Sequence, residues 1–296
     1  MSEKSAIQWT DSSWNIVTGC SQVSPGCLNC YAERLTATRL REQPKYKGLT
    51  DAVGHWTGEV RCHPDVLEEP LHWKKPRRIF VASMSDLFHS KVPWEFIIKV
   101  FDVMRECPQH TFQLLTKRPG RMAHFAERVW PLQWPPHVWV GTSLEKEWDG
   151  KKRLMGRLDC LLQVPAKVRF VSAEPLLGPL DLKPYFFKCT GCGYKPCVCK
   201  GIAIHQVIIG GESGPGARPM DIAWARDLIS QCDSAGVPVF VKQLGAKPYS
   251  SPRANGGTGY MLELKDRKGS NPAEWDEDLR RREFPCQDTP RTKIMV

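Results

Sequence analysis

Six short runs of β-branched, aromatic and aliphatic residues recur along the chain at a nearly regular interval. They are IFVAS at 79–83, TFQLLT at 111–116, VWVGTS at 138–143, VRFVSAE at 168–174, QVIIGGE at 206–212 and PVFVKQ at 238–243. Their starts lie 32, 27, 30, 38 and 32 residues apart. A strand, its helix and the return to the sheet need about 30 residues, so the interval predicts parallel βα units. The segments between the runs have helical periodicity. Phe96, Ile97, Val100, Phe101 and Met104 share one face after Pro93, and Ile222, Ala225, Leu228, Ile229 and Cys232 share another before Gly236. The strands read as apolar on both faces, as in parallel sheets covered by helices. With one more strand expected just before Cys20, the fold class is α/β. A full or partial parallel (β/α) barrel is the first choice, and an open doubly wound sheet the second. Residues 1–245 form the expected barrel, with a Cys-rich insertion at 186–203 that accounts for the longest interval. Residues 246–296, rich in Gly, Pro and charge, are expected to pack on the barrel as a C-terminal extension.

Twelve cysteines are many for a chain with no signal-peptide-like apolar stretch at its start, a start that places it in the cytoplasm. Disulfides are disfavoured there, so clustered cysteines point to metal or redox chemistry. Cys20, Cys27 and Cys30 form C-x6-C-x2-C on a loop at 18–31, around Ser24-Pro25-Gly26. Three thiolates on one loop leave three outcomes open: an iron–sulfur cluster with one vacant iron, a metal site closed by Cys62, His63 or His55, or unliganded thiols. Cys189, Cys192, Cys197 and Cys199 form C-x2-C-x4-C-x-C. That spacing suits a structural zinc first and an auxiliary cluster second. Lys188, Lys195 and Lys200 around it also allow a nucleic-acid-binding knuckle. Cys107, Cys160, Cys232 and Cys286 sit singly and read as small hydrophobes.

The first cysteine loop resembles the cluster loop of the radical S-adenosylmethionine superfamily, which places three cysteines after the first strand of a full or partial barrel. The usual spacing there is C-x3-C-x2-C, so the first gap here is longer, and Tyr31 follows the third cysteine instead of preceding it. More closely, the chain resembles a phage and prophage protein family defined by this motif. The matching stretches include IQWTDSSWNIVTGCSQVSPGCLNCYAERL, PRRIFVASMSDLFH, HTFQLLTKRP, VIIGGESGPGARPM and PAEWDEDLRRREFP. The resemblance implies a 4Fe–4S cluster on Cys20, Cys27 and Cys30, with S-adenosylmethionine chelating the fourth iron. An electron donor would reduce the cluster. The S–C5′ bond would then break, and the resulting 5′-deoxyadenosyl radical would abstract a hydrogen from the substrate.

Barrel active sites form at the C-terminal ends of the strands. Those ends carry Ser83, Ser85 and Asp86, then Thr116 and Lys117, Ser143 and Glu145, Glu174, Glu212, and Lys242. Carboxylates there suit an ammonium or ribose hydroxyls, and the lysines suit a carboxylate or phosphate, so the set is the candidate cofactor-binding group. The plainer reading is that these groups solvate the strand ends or pair with one another. Gly210-Gly211-Glu212 resembles the stretch with which many radical enzymes hold the methionine amino group, but it follows a late strand instead of the second.

The formal charge of +10 favours a polyanion partner, with nucleic acid or a nucleotide first. The densest basic patches are at 74–78, 151–153 and 280–282. No apolar run of about 18 residues occurs, so no membrane partner is expected. The sequence leaves the oligomeric state open. It supports a radical enzyme acting on a nucleobase or nucleotide, in modification or repair. Two alternatives stand beside it: a non-catalytic, metal-stapled nucleic-acid-binding protein, and a metal-dependent barrel hydrolase using Asp86, Glu145, Glu174 and Glu212.

Overall fold

The computed structural model describes residues 5–129, 133–148, 154–189, 200–202, 204–252 and 258–285. Seven strands form one parallel sheet: β1 Ser12–Trp14, β2 Arg78–Val81, β3 Thr111–Thr116, β4 Val138–Ser143, β5 Arg169–Ala173, β6 Gln206–Gly210 and β7 Val239–Gln243. Their spatial order is their chain order. A doubly wound sheet needs a reversal of that order, so the second-choice fold is set aside. The sheet also curls. The Trp9 ring lies 4.7 Å from Phe80 on β2 and 6.2 Å from Phe170 on β5. Strands three steps apart in a flat sheet would be separated by about 14 Å. Strands β1 and β7 do not pair, so the architecture is a partial (β/α) barrel.

Strand alternation sorts the side chains into two layers. Outward residues such as Ile79, Val81, Leu114, Val140, Val171, Ile209 and Val241 join the large core beneath the helices. Helix α1 Tyr31–Ala37 borders the mouth, and the cover includes α2 Trp94–Glu106, α3 Pro119–His124, α4 Gly156–Leu161, α5 Lys183–Phe186 and α6 Ile222–Ala235. All five periodic apolar residues expected on α2, and all five on α6, are buried. Helix α6 ends at Gly236 with φ of +64°, a conformation that costs other residues a Cβ clash. Inward residues change character along the barrel. Phe80, Trp139, Phe170, Ile208 and Phe240 form an aromatic floor at the N-terminal ends of the strands. Gly141, Ser143, Ser172, Gly210 and Lys242 follow them toward the C-terminal ends. The strands are therefore apolar on both faces only in their lower half. Above the floor, small and polar side chains leave room at the mouth.

The Cys-rich insertion opens and closes with a short antiparallel hairpin, Phe187–Cys189 against Lys200–Ile202. The hairpin follows α5 and leads into the start of β6, which places the hairpin at the N-terminal end of the strands. Cys192, Cys197 and Cys199 lie outside the described residues, as does the basic patch at 151–153. Near the C-terminus, Arg281–Glu283 runs antiparallel along β7: Val241 N donates to Arg281 O and Glu283 N to Val239 O, each at 2.8 Å. Among the described residues, no helix is long and apolar enough to cross a membrane.

Candidate active site

The cysteine loop leaves the top of β1 and returns through a turn at Pro25–Cys27 into α1, whose N-cap is Cys30. Cys20, Cys27 and Cys30 line one cavity of about 140 Å³ at the C-terminal mouth. Its apolar wall includes Phe80, Leu115, Met84 and Trp56, and its polar wall includes Ser83, Ser85, Asp86, Thr116, Lys117 and Ser143. Glu145, Glu174, Glu212 and Lys242 stand outside that lining. The cavity therefore gathers the three cysteines with six of the ten polar strand-end residues singled out in the sequence.

Side-chain bonds tie the loop to the barrel along its length. Ser24 Oγ donates to Glu145 at 2.6 Å. Asn29 Nδ2 donates to Glu212 at 2.9 Å. The Tyr31 hydroxyl donates to the Ser83 carbonyl. Arg118 donates to the Ser21 carbonyl at 2.9 Å and the Ser21 hydroxyl at 3.0 Å, and its NH1 lies 3.8 Å from Cys20 Sγ. Gly26 is required at its position, because a Cβ there would come within 2.3 Å of the Glu145 carboxylate.

The same contacts define what the polar residues do. Asp86 is buried and accepts from Thr116 Oγ1 at 2.7 Å, Arg118 NH1 at 2.8 Å and Phe88 N at 3.0 Å. Glu145, wholly buried, meets Arg157 at 3.2 Å and Lys117 at 3.7 Å. Glu174 pairs with Lys242 at 2.9 Å. Glu212 takes a two-pronged bond from Arg218 at 2.6 and 2.9 Å. Burial works to raise the Glu212 pKa, but the bonds from Arg218 and Asn29 outweigh it and hold the carboxyl below its usual range. Each strand-end carboxylate thus has a cation partner inside the chain. Arg118, Arg157, Arg218 and Asn29 are site residues that motif reading does not select. The one available signal is that Arg118 directly follows Lys117 at a strand end, and Asn29 precedes the third cysteine.

The donor set discriminates between the candidate metals. Among the described residues, no three His, Cys, Asp or Glu side chains converge closely enough to hold a single ion. A tetrahedral zinc would need thiolates about 3.7 Å apart, given its 2.3 Å bonds. A four-iron cube presents its corners to thiols spread more widely around a cavity, and these three share one cavity lining. The fourth-ligand candidates do not line the cavity. Cys62 sits in the two-residue strand Arg61–Cys62, paired with Val17–Thr18. His63 Nε2 is bonded to Thr18 Oγ1 at 2.8 Å, and His55 lies 3.9 Å from Glu33. The cavity therefore fits a cluster with three protein ligands better than a closed mononuclear site. Burial, with Asp86 adding to it, pushes the Cys20 thiol up to about 12 against the pull of Arg118. Burial also raises Cys30, opposed by the backbone N–H groups of Glu33 and Ala32.

A partial parallel barrel with three cysteines at its mouth defines the class of protein. Residues 4–281 match the family described as "Protein of unknown function (DUF5131)", and the chain belongs to that family. No curated protein sequence matches it. Among solved structures, it is similar to a cysteine-to-serine mutant of spore photoproduct lyase, with 12% identity and a TM-score of 0.40, covering 89% of this chain and 71% of that one. It is also similar to spore photoproduct lyase complexed with dinucleoside spore photoproduct, with 11% identity and a TM-score of 0.38, covering 86% and 68%.

Proposed function

We propose that this protein is a radical S-adenosylmethionine enzyme acting on a nucleobase or nucleotide, in nucleic-acid modification or repair. One observation carries the reading. Three cysteines from a single loop line one cavity at the mouth of a partial barrel, and among the described residues no other cysteine or histidine lines it. Cys20, Cys27 and Cys30 would hold a 4Fe–4S cluster. With one iron left open to S-adenosylmethionine, that group supplies the electron that breaks the S–C5′ bond. The chain supplies position and dryness. Arg118, braced by Asp86, fixes the start of the loop, while Glu145 and Glu212 fix its middle through Ser24 and Asn29. Ser83, Ser85, Thr116, Lys117 and Ser143 are the proposed cofactor contacts, because they share the cavity with the thiols. Glu145, Glu174, Glu212 and Lys242 then shape the mouth through their ion pairs. Phe80, Leu115 and Trp56 exclude water from the lower wall. The +10 charge supports an anionic substrate.

The carboxylate hydrolase reading loses its support, because Asp86, Glu145, Glu174 and Glu212 are each engaged by a cation and do not converge.

The test is anaerobic reconstitution with iron and sulfide, followed by reduction with S-adenosylmethionine present. Release of 5′-deoxyadenosine is expected, and Cys20→Ala, Cys27→Ala or Cys30→Ala should each abolish it. A protein that purifies with zinc alone, and gains no cluster absorbance on reconstitution, would overturn the reading.

A further inference from the structure

Beside the cysteine cavity lies a second cleft, of about 340 Å³, lined in part by Lys117, Arg118, Arg121 and Arg157. Among the described residues, no carboxylate lines it. The acidic partners of these cations face them from outside: Asp86 lies 2.8 Å from Arg118, and Glu145 lies 3.2 Å from Arg157 and 3.7 Å from Lys117. Arg121 is held by carbonyls instead, donating to Val92 O at 2.7 Å and to His89 O, with its guanidinium 3.8 Å above the Trp94 ring. Among the described residues, four cations of the lining meet two carboxylates, which leaves the lining net positive. Leu154, Pro119 and Cys160 complete part of the wall with apolar surface, which strengthens the field in the cleft by excluding water. Lys117 and Arg118 line both spaces, so the cleft and the cysteine cavity adjoin.

We propose that this cleft binds a backbone phosphate of a single-stranded nucleic acid whose neighbouring base enters the cysteine cavity. The proposal rests on the nucleotide-substrate reading above and extends it from a base to a strand. Guanidinium groups match phosphate oxygens in geometry as well as charge. Arg121 is the leading contact, because among the described residues no carboxylate lies within ion-pair distance of it, and Asp86 acts on it only at longer range. Lys117 is next, because its contact with Glu145 is the longest of the cleft's ion pairs.

The test is equilibrium binding of a short single-stranded oligodeoxynucleotide, compared with the same oligonucleotide carrying a neutral methylphosphonate backbone. The wild-type protein is expected to bind the phosphodiester about tenfold more tightly at low salt. Arg121→Gln should lower the slope of log affinity against log salt by about 0.7, the share of one single-strand phosphate contact, and Arg121→Lys should restore it. Equal affinity of the wild type for the two backbones overturns the proposal, and needs no variant to be folded. If Arg121→Gln weakens S-adenosylmethionine binding and leaves the oligonucleotide unaffected, the cations serve that molecule's carboxylate, and the proposal again fails. The Cys30→Ala variant separates the two readings. It should keep the backbone preference while losing cofactor cleavage. A protein that cleaves S-adenosylmethionine without backbone preference sinks only the phosphate site. One with the preference but no cleavage sinks only the cluster.

Discussion

His89 shows how one side chain links the cysteine loop to stability. It is buried, its Nδ1 accepts from Lys91 N at 3.2 Å, and its Nε2 meets Ser21 Oγ at 2.8 Å. With Nδ1 occupied as an acceptor, the ring must stay neutral. Burial first, and then the charge of Arg118, lower its pKa from the usual 6.5 to about 4. Between those two values the unfolded chain binds a proton that the folded chain refuses. Stability is therefore full above the window and falls as the pH drops through it. The loss is about 1.4 kcal/mol per pH unit for one such group. Urea unfolding of His89→Asn, which keeps an acceptor for Lys91 N, should show a shallower acid slope than the wild type by about that amount. An unchanged slope would mean that His89 is protonated in the fold. The sequence marked Asp86 and the strand-end glutamates as residue types at the right place. It could not show that Arg118, Arg157, Arg218 and Lys242 engage them. Glu145 pairs with Arg157 across a turn of the barrel, and Ser24 meets Glu145 from a loop more than a hundred residues earlier. Such partners are set by how the strands come together, which local pattern does not record.

At the scale of elements, strands β2 to β7 were legible because each carries its own local signal: outward aliphatics for the helices and turn residues at its end. Strand β1, Ser12–Trp14, carries no such signal, and the segment just before Cys20, where a strand was expected, is Val17–Thr18, paired with Arg61–Cys62 outside the main sheet. The alternation on the inner face was harder to see, because it depends on neighbours across the sheet. Gly141 on β4 is an example. It pairs in register with Phe170 on β5, and a Cβ there would lie 2.5 Å from the Phe170 ring. The ring lies across the bare strand and belongs to the aromatic floor with Trp9, Phe80 and Phe240. Gly141→Ala should push Phe170 off its seat and cost about 2 kcal/mol, the usual scale of overpacking. Thermal or urea unfolding reads this directly. A neutral result would show that the floor has slack and is not what holds the sheet curled. Strand β2 teaches the complementary lesson. IFVAS reads as one run, but pairing stops at Val81 and Ala82 turns to φ of +59°. That turn swings Ser83 and Ser85 toward the cavity, and nothing in the composition of the run foretells it.

At the scale of the whole molecule, an incomplete barrel must manage two open edges, since unpaired strands template association with other chains. This chain covers β7 with Arg281–Glu283 and carries the cover across to the other side of the barrel. Phe284 lies 5.2 Å from Phe240 on β7 and beneath the Arg78 guanidinium of β2 at 4.1 Å. Arg78 is itself clamped to Asp11 at 3.0 Å, just before β1. Arg282 bonds to Gln8 at 2.9 Å, and Gln8 donates to the Ser270 carbonyl at 3.3 Å. Residues 8–11 and 282–284 thus meet over the seam that the sheet leaves open. The floor beneath the cavity is closed by residues some two hundred positions apart. A chain ending at Gly269 would lose both backbone bonds to β7 and uncover Phe240. It is expected to unfold at a lower temperature, to lose hydrogen-exchange protection at the Val241 amide, and to elute earlier than the full chain on size exclusion as its bare edge pairs with other copies. If the shortened chain kept its elution position and the protection of Val241, the terminal segment would be an ornament, and the curl of the sheet would be held by the aromatic floor alone.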